Sequence, residues 1–387
     1  LMKYTTDSLD DNGKTLGELE ALNTIGSIIG TFLPTFVTIP AVGTARTFLI
    51  FAAILAIISL AFFISRRRWI ARGAVSAVVI TALIFTPVNY SFAFWDSGDI
   101  VLEDESIYNY LQVTENENRI ALSTNVAFGV QSIKMKSGNM TGMYYDYALA
   151  APLMAENAQD VLILGLGTGT FAEQCLEYFP GCNVTGVEID EKIVNISREY
   201  FDLPEEVNAV VGDGRAWLTA SEDSYDVIMV DAYQDITIPF QMSSVEFFTE
   251  VYEHLNPGGV MVVNMSMRSE SEGSMNEYLI DTIASVFPHV YTVRVSAGTN
   301  LELFATADGD ALARFRERYP SEPEEYAAIM QRVDENLVTV EGGDYILTDD
   351  KAPVELLGMR VLDEIIAGEL DILRDQIAED GIMSLLS

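Results

Sequence analysis

Glycines and acidic residues recur where apolar strands of the sequence end, and such residues can bind a ligand. An apolar run over residues 161–166 leads directly into the turn formed by residues 165–169 (GLGTG). Glycines in such a turn let the backbone approach a ligand closely and adopt positive φ. Further runs end at Glu188, before residues 212–214 (GDG) and at Asp231. Because ligands bind at the carboxyl ends of parallel strands, this spacing predicts one shared site. Taken alone, the glycine motif also fits a tight turn without a ligand.

The pattern favours an adenosyl ligand of the S-adenosylmethionine type. An acid that ends the second strand, here Glu188, commonly accepts hydrogen bonds from ribose hydroxyls, and Asp213 after the third strand can meet the adenine amine. A dinucleotide is disfavoured because the spacing is not G-x-G-x-x-G: position 170 is Thr. A solvated charge at a strand end is the alternative explanation for Glu188. The residues predicted to hold the ligand are Gly165, Gly167, Thr168, Gly169, Glu188, Asp213 and Gly214.

Asp231 ends a fourth apolar run, residues 225–230, next to the predicted ligand site. An alkyl amine has a pKa of about 10 and arrives as a cation at neutral pH, so a nearby carboxylate can attract it and take its proton. If the second substrate is an amine, as the family resemblance given below implies, Asp231 is predicted to be its catalytic base, with Tyr233 and Asp235 orienting or neutralising the amine. Further acidic candidates are Asp146, Asp349 and Asp350. Capping of a following helix is an alternative role for the last two.

The elements that position these residues alternate between strand and helix. Five apolar runs have the length of buried strands: residues 161–166, 184–190, 207–211, 225–230 and 260–265. Between the first two, apolar residues recur on one helical face, as at Phe171 and Cys175. Alternating strands and helices predict a doubly wound α/β fold with a mainly parallel sheet.

Metal and nucleophile chemistry find no support in the sequence. His254 and His289 are the only histidines, and neither has a ligand neighbour at metal spacing. Cys175 and Cys182 lack the spacing of a metal or redox motif and are interpreted as ordinary thiols. Without a histidine base, no Ser or Cys triad is expected. We therefore predict no metal.

Charge and hydropathy divide the chain near residue 96. Residues 1–96 hold six acids and seven bases, whereas the remaining 291 residues hold 52 acids and 15 bases. The runs 21–44, 48–65 and 73–95 contain no charged residue, and about 20 apolar residues suffice to span a bilayer. These runs predict a multi-pass membrane region with about three transmembrane helices in a lipid bilayer. Buried core helices of a soluble domain are the alternative.

The side of the membrane is indicated in two opposite ways. The loop with Arg66, Arg67, Arg68 and Arg72 is placed in the cytoplasm by the positive-inside rule, which puts the following chain outside. Because the predicted cofactor is cytosolic, we instead expect the residues after position 96 to lie in the cytoplasm. Since residue 1 is Leu, we also expect an N-terminally truncated chain.

The net charge of −36 argues against nucleic acid as a partner, because it repels a phosphate backbone. The same charge concentrates cationic substrates near the protein. A surface adapted to high salt explains it equally well.

Several motifs along nearly the whole chain resemble one family. They lie at residues 21–24, 30–31, 106–109, 129–131, 144–146, 161–170, 187–190, 212–214, 231–233, 238–240 and 347–350. From about residue 105 to 355 the sequence resembles the spermidine synthases (polyamine aminopropyltransferases). The whole chain is similar to membrane-fused spermidine synthase-like proteins.

This resemblance implies aminopropyl transfer from decarboxylated S-adenosylmethionine to an amine or polyamine. It implies that Glu188 binds ribose, Asp213 binds adenine and Asp231 is the base, with a gate loop after Asp231. It also implies a small N-terminal β-region over residues 99–135. The substrate-binding residues that it suggests are Asn109, Gln131, Tyr145 and Asp146. The expected domains are a membrane region (1–96), a small β-region (97–140) and a Rossmann-like transferase domain (141–387).

Three departures from the family pattern keep alternatives open. Thr168 stands where spermidine synthases carry the Asp that holds the ammonium group of the donor. Gln234 replaces an acid three residues after the base, and Asp146 replaces a histidine. A methyltransferase that uses S-adenosylmethionine itself stays an alternative, as does a non-catalytic sensor of polyamines or adenosyl ligands. A homodimer is also left open.

Overall fold

The computed structural model of the protein describes residues 12–65, 75, 78, 99–125, 130–138, 140–232, 238–265, 273–295, 300–354 and 356–357. The chain forms two compact units, residues 1–96 with 103–111, and residues 97–102 with 112–387. The domain boundaries expected after residues 96 and 140 stay a prediction.

Apolar helices form the described N-terminal part of the first unit. They are α1 (Asn12–Leu33), a π-helical turn (Pro34–Thr38), α2 (Ile39–Val42) and α3 (Thr44–Ser65). Two spans, Leu16–Val42 and Thr44–Phe62, are long and apolar enough to cross a membrane. The 19 residues of the second span rise roughly 28 Å, close to the ~30 Å hydrocarbon core of a bilayer. The third predicted run, residues 73–95, lies outside the described residues apart from positions 75 and 78.

A small four-stranded sheet precedes the glycine turn, as the resemblance implied. Its strands are, in spatial order, β1 (Asp99–Glu105), β2 (Tyr110–Glu115), β3 (Arg119–Thr124) and β4 (Val130–Met135). β3 and β4 pair antiparallel, with a register shift between Leu122 and Ser123. Unusually for a sheet interior, it buries polar side chains such as Gln112 and Ser132.

An eight-stranded sheet forms the centre of the second unit. Its strands are β5 (Asp160–Leu164), β6 (Asn183–Glu188), β7 (Asn208–Val211), β8 (Tyr225–Val230), β9 (Leu255–Met265), β10 (His289–Arg294), β11 (Leu301–Thr306) and β12 (Val338–Val340). Their spatial order is β12-β10-β11-β9-β8-β5-β6-β7. The pairs among β5 to β9 are parallel, whereas β11, β10 and β12 join antiparallel. The predicted α/β fold with a mainly parallel sheet is confirmed.

Helices cover both faces of this sheet. They are α4 (Tyr144–Ala148), α5 (Ala150–Met154), α6 (Thr170–Tyr178), α7 (Glu191–Tyr200), α8 (Gly214–Ala220), α9 (Val245–Glu253), α10 (Met275–Ala284), α11 (Ala311–Arg318) and α12 (Glu324–Asn336). Residues of α4, α5, α6, α11 and α12 form one apolar layer, and residues of α8, α9 and α10 form the other. Along the strands, Ile163 and Met229 face the first layer, while Leu162 and Ile228 face the second. Burial on both faces explains why these strands read as continuous apolar runs.

Two arginines of α11 close the carboxyl end of α5. Arg314 donates a hydrogen bond to the carbonyl oxygen of Met154, which lies 160 residues earlier in the chain. Arg318 donates to the carbonyl oxygens of Leu153 and Ala155 at 3.3 and 2.6 Å. The last carbonyls of a helix have no partner within it, so a buried helix end needs donors from elsewhere. These side chains supply such donors where α5 meets the core.

Candidate active site

The glycine turn after β5 packs directly against the end of β8. Gly165 has a φ of 96°, and a Cβ at this position would lie 2.3 Å from the backbone oxygen of Asp231. Gly169 has a φ of 87°, and its Cβ would lie 2.2 Å from Cδ1 of Leu203. Gly165 therefore requires glycine for conformation and for space, and Gly169 requires it for conformation. The turn and Asp231 share one edge of the sheet.

Glu188 ends β6 and lies buried beside this turn. Its Oε2 accepts a hydrogen bond from the backbone N–H of Gly167 at 2.9 Å, and its Oε1 accepts one from Asp190 at 3.1 Å. Burial raises the pKa of this carboxyl, although the N–H donors act in the opposite direction. Glu188 thus fixes the turn, and its role as a ribose ligand stays a prediction.

Asp213 and Gly214 mark the start of α8, after β7. Oδ1 of Asp213 caps this helix by accepting a hydrogen bond from the N–H of Ala216 at 2.9 Å. Arg215, the next residue of α8, forms an ion pair with Asp349 at 2.7 Å. The guanidinium lowers the pKa of Asp349. Asp349, one of the acidic candidates, is therefore neutralised by a protein cation.

Asp231 follows β8, and its carboxylate lies between a tyrosine and an asparagine. Tyr144 donates a hydrogen bond to Oδ2 at 2.6 Å, and Nδ2 of Asn264 donates to Oδ1 at 2.8 Å. Burial, the largest effect, and the charge of Glu188 raise the pKa of Asp231 to about 7, even though the two hydrogen bonds lower it. A carboxyl that titrates near neutral pH is suited to accepting a proton during a reaction.

Two adjacent tyrosines of α4 line the side of this carboxylate. The rings of Tyr144 and Tyr145 lie with their centroids 3.9 Å apart. Tyr145 donates a hydrogen bond to the backbone oxygen of Gln131 at 2.5 Å. Burial and the charge of Asp231 raise the pKa of both phenols, so both stay protonated donors. The structure thus places Tyr145 near Asp231 and joins it to the backbone oxygen of Gln131. The roles of Tyr145 and Gln131 as substrate ligands stay predictions.

Asp146 is fully buried, and its carboxylate is held by protein donors. Its oxygens accept hydrogen bonds from the N–H groups of Thr141 and Gly142, at 2.9 and 2.6 Å, and from Nε2 of Gln174 at 2.7 Å. These contacts join the turn before α4 to α6. The geometry supports a positioning role for Asp146 rather than a contact with the amine.

The other predicted residues are placed less directly. Thr168 is buried, its N–H donates to Oγ of Ser132 at 3.4 Å, and its hydroxyl has no hydrogen-bond partner in the described part of the chain. Asn109 lies between β1 and β2 in the first unit, so its position relative to Asp231 is not assigned. Tyr233 and Asp235 lie outside the described residues. Across the described ranges, no cluster of His, Cys, Asp and Glu is arranged to hold a metal ion.

Three residues of this region have no role that the sequence predicted. Tyr144 and Asn264 bind the Asp231 carboxylate, and Glu302 pairs with Asn264 in the sheet register. The signal for Asn264 was a polar residue at the end of the fifth apolar run. The signal for Glu302 was an acid within the apolar segment LELFAT, residues 301–306.

A glycine turn and acids at the strand ends of a mainly parallel sheet define the chain as an α/β protein with a candidate ligand site at one edge of the sheet. A family model described as the spermine/spermidine synthase domain matches residues 143–305. A probable polyamine aminopropyl transferase of Bifidobacterium longum is 51% identical over 349 residues, which cover 84% of this chain and 77% of that protein. The chain belongs to the polyamine aminopropyltransferase family.

One further relative and one solved structure are also similar to the chain. A polyamine aminopropyltransferase of Vibrio vulnificus is 28% identical over 206 residues, 51% of this chain and 68% of that protein. The crystal structure of spermidine synthase from Thermotoga maritima covers 59% of this chain and 80% of its own, with 18% identity and a TM-score of 0.49. The family predicted from the motifs is confirmed, whereas fusion to a membrane region stays a prediction.

Proposed function

We propose that the protein transfers an aminopropyl group from decarboxylated S-adenosylmethionine to an amine, with Asp231 as the base. The observation that carries this proposal is the Asp231 carboxylate. The backbone of Asp231 packs against the glycine turn. Its carboxyl group has a pKa of about 7 and accepts hydrogen bonds from Tyr144 and Asn264. Membership of the aminopropyltransferase family supports the same reaction.

The reaction is an in-line displacement at carbon. The lone pair of the amine forms a C–N bond to the aminopropyl carbon, and the C–S bond breaks with its electron pair going to sulfur. The proton lost by the amine goes to Asp231, and methylthioadenosine leaves. Because the sulfonium is already a good leaving group, the protein contributes mainly proximity and an unprotonated amine. A carboxyl with a pKa near the working pH is efficient in such proton transfer.

The donor is proposed to lie along the edge from Asp213 to Asp231. Glu188 and Asp213 would bind the ribose and adenine of the adenosyl group, as the resemblance implies. The turn at Gly165, Gly167 and Gly169, with Thr168, would receive the sulfonium end, and Gly214 would allow close approach at the adenine. Tyr145 and the backbone of Gln131 would line the amine side. Asn109, Tyr233 and Asp235 stay proposed contacts from outside the described site.

One observation favours a second candidate, a methyltransferase that uses S-adenosylmethionine itself. Thr168 offers a buried neutral hydroxyl where an acid would hold the ammonium group of an aminopropyl donor. Without that acid, the demand for a decarboxylated donor is weaker.

We also propose that the apolar helices within residues 1–96 anchor the protein in a lipid bilayer as a multi-pass region. The lengths of the spans Leu16–Val42 and Thr44–Phe62 support this anchor. Residues 97–140 and 141–387 would form the β-region and the transferase domain, on the cytoplasmic side where the donor is made. A homodimer is compatible with this arrangement.

The test uses the full chain in detergent with either donor and a pool of amines, and mass spectrometry identifies the nucleoside product. Methylthioadenosine formed only with an amine and the decarboxylated donor is the expected result. S-adenosylhomocysteine would show the methyltransferase instead. Neither product, with donor binding still measurable, would contradict both.

A further inference from the structure

Among the described residues, Glu302 is a buried acid whose carboxylate has no hydrogen-bond partner. It lies in β11 with 0% of its surface exposed, and neither carboxylate oxygen has a hydrogen-bond partner in the part of the chain that the structure describes. Burial is the main cause that raises its pKa well above the ordinary value, and the charge of Asp231 acts in the same direction. A buried polar group without a partner destabilises a fold, so such a group calls for an explanation.

The other buried acids of the described residues all have donors. Asp281 accepts hydrogen bonds from the N–H groups of Gly343 and Tyr345, at 2.9 and 3.0 Å. Asp226 accepts one from the N–H of Gln159 at 2.9 Å. The remaining acids with donors are Asp146, Glu188 and Asp190. In the described ranges, buried carboxylates therefore have hydrogen-bond donors as a rule, and Glu302 is the exception.

The sheet places Glu302 in line with the proposed base. Glu302 pairs with Asn264 in the antiparallel register of β11 and β9, and Asn264 donates its side-chain hydrogen bond to Asp231 at the end of the neighbouring β8. Paired residues point to the same face of a sheet, and strands lie about 4.8 Å apart, so the backbones of Asp231 and Glu302 are roughly 10 Å apart. Asp231 and Glu302 therefore lie on the same face of the sheet, with only β9 between their strands.

The side chains around Glu302 are mainly apolar, and such surroundings suit a cationic ligand group as the partner of its carboxylate. On the same face, β11 continues with Phe304, and Val293 of β10 lies opposite Glu302 in the register. α4, which carries Tyr144, packs over β9 and β11. Apolar walls around one carboxylate suit an ammonium group on an alkyl chain, and such a group favours the ionised acid.

We propose that Glu302 is a specificity-determining residue that receives the distal ammonium group of a diamine acceptor whose reacting nitrogen lies at Asp231. This inference rests on the proposed aminopropyl transfer and names a ligand for the far end of the acceptor. The two acids then have different roles. Asp231 takes the proton of the reacting nitrogen, whereas Glu302 stabilises the protonated form of the distal nitrogen.

The test compares two acceptors that differ by one nitrogen, 1,4-diaminobutane and 1-aminobutane. The full chain and its Glu302→Gln variant are assayed for methylthioadenosine with the decarboxylated donor. In the variant, kcat/KM for the diamine is expected to fall about 10- to 100-fold, the worth of one hydrogen bond between charged groups. The loss should appear in KM, and the value for the monoamine should stay within about twofold. Glu253→Gln, the same change at an exposed position of α9, serves as the matched control and should alter neither acceptor.

Thermal melts test the same inference without turnover. In the presence of methylthioadenosine, 1,4-diaminobutane should raise the melting temperature of the parent chain and not that of Glu302→Gln. Without ligands the variant should melt at or above the parent temperature, because it loses an unpaired buried acid; a lower value would make Glu302 a structural residue and overturn the inference. The inference would also be overturned if the ratio of kcat/KM for the diamine to kcat/KM for the monoamine were the same in the variant and the parent. Equal increases in melting temperature with the diamine in both proteins would overturn it as well. Methylthioadenosine formed from neither amine would instead contradict the proposed function, and the melts would then decide about Glu302.

Discussion

Replacing Asp231 by Asn should stabilise the fold while it removes turnover. The pKa of Asp231 rises from 3.8 to about 7 on folding, and each unit corresponds to about 1.4 kcal/mol, so ionised Asp231 destabilises the native state by up to ~4 kcal/mol above pH 7. An Asn side chain removes that term. Its one amide oxygen can accept from only one of the two donors, Asn264 and Tyr144, so its NH2 group faces the other donor, and this mismatch costs about 1–3 kcal/mol. The net gain should be about 1–3 kcal/mol at pH 8.

The sign of the pH dependence follows from the direction of this shift. Between about pH 4 and 7 the folded chain binds more protons at Asp231 than the unfolded chain does, so parent stability falls as pH rises through this window. The Asn variant lacks this slope. The difference in melting temperature between variant and parent should therefore be larger at pH 8 than at pH 5.

The assay pairs thermal melts with methylthioadenosine formation by the full chain. Loss of a general base should lower kcat by about 10²–10⁴-fold. The matched control is Asp226→Asn in the same strand, because Asp226 accepts hydrogen bonds from Gln159 and Asn256, away from the site. That control should lose about 1–3 kcal/mol of stability and keep its activity. Full turnover in Asp231→Asn, or a stability gain that is the same at both pH values, would refute the reasoning.

Three further changes test neighbouring parts of the site. Tyr144→Phe removes a hydrogen bond that lowers the pKa of Asp231, so the acidic limb of the kcat/KM profile should move to higher pH, and an unmoved limb would contradict this coupling. Gly165→Ala would place a Cβ 2.3 Å from the Asp231 backbone, and calorimetry should show a loss of about 1–3 kcal/mol together with weaker donor binding. Thr168→Asp should shift preference toward the decarboxylated donor in a competition between the two donors, and an unchanged ratio would mean that residue 168 does not face the donor tail.

The site residues that the sequence predicted are those whose positions follow from their own strand or turn. Gly165 and Gly169 follow an apolar strand, and the fold indeed needs their positive φ and, at Gly165, the lack of a Cβ. Asp231 ends a buried run, so its place at the ligand edge follows from strand direction alone. The parallel order of β5 to β9 was predictable for the same reason, because strands and helices alternate there.

The remaining features depend on contacts between distant segments. Glu302 lies near the beginning of β11, and that strand reaches the site only because it runs antiparallel to β9. Glu302 is therefore not among the residues that follow the carboxyl ends of the parallel strands, where the sequence predicts ligand contacts. Asp146 was visible as an acid, but its partner Gln174 comes from α6. The site contact of Tyr144 likewise requires the packing of α4 over the sheet.

The hydrogen bonds from Arg314 and Arg318 of α11 to the carboxyl end of α5 couple the local unfolding of the two helices. If α11 detached, the carbonyls of Leu153, Met154 and Ala155 would lose the guanidinium donors of Arg314 and Arg318 while still in an apolar setting. Local separation of α11 is therefore costly, and the two helices should behave as one cooperative unit. Amide hydrogens of α5 and α11 are expected to exchange with deuterium at matched rates, although more than 150 residues separate them. During synthesis, the end of α5 is then completed only once α11 has left the ribosome.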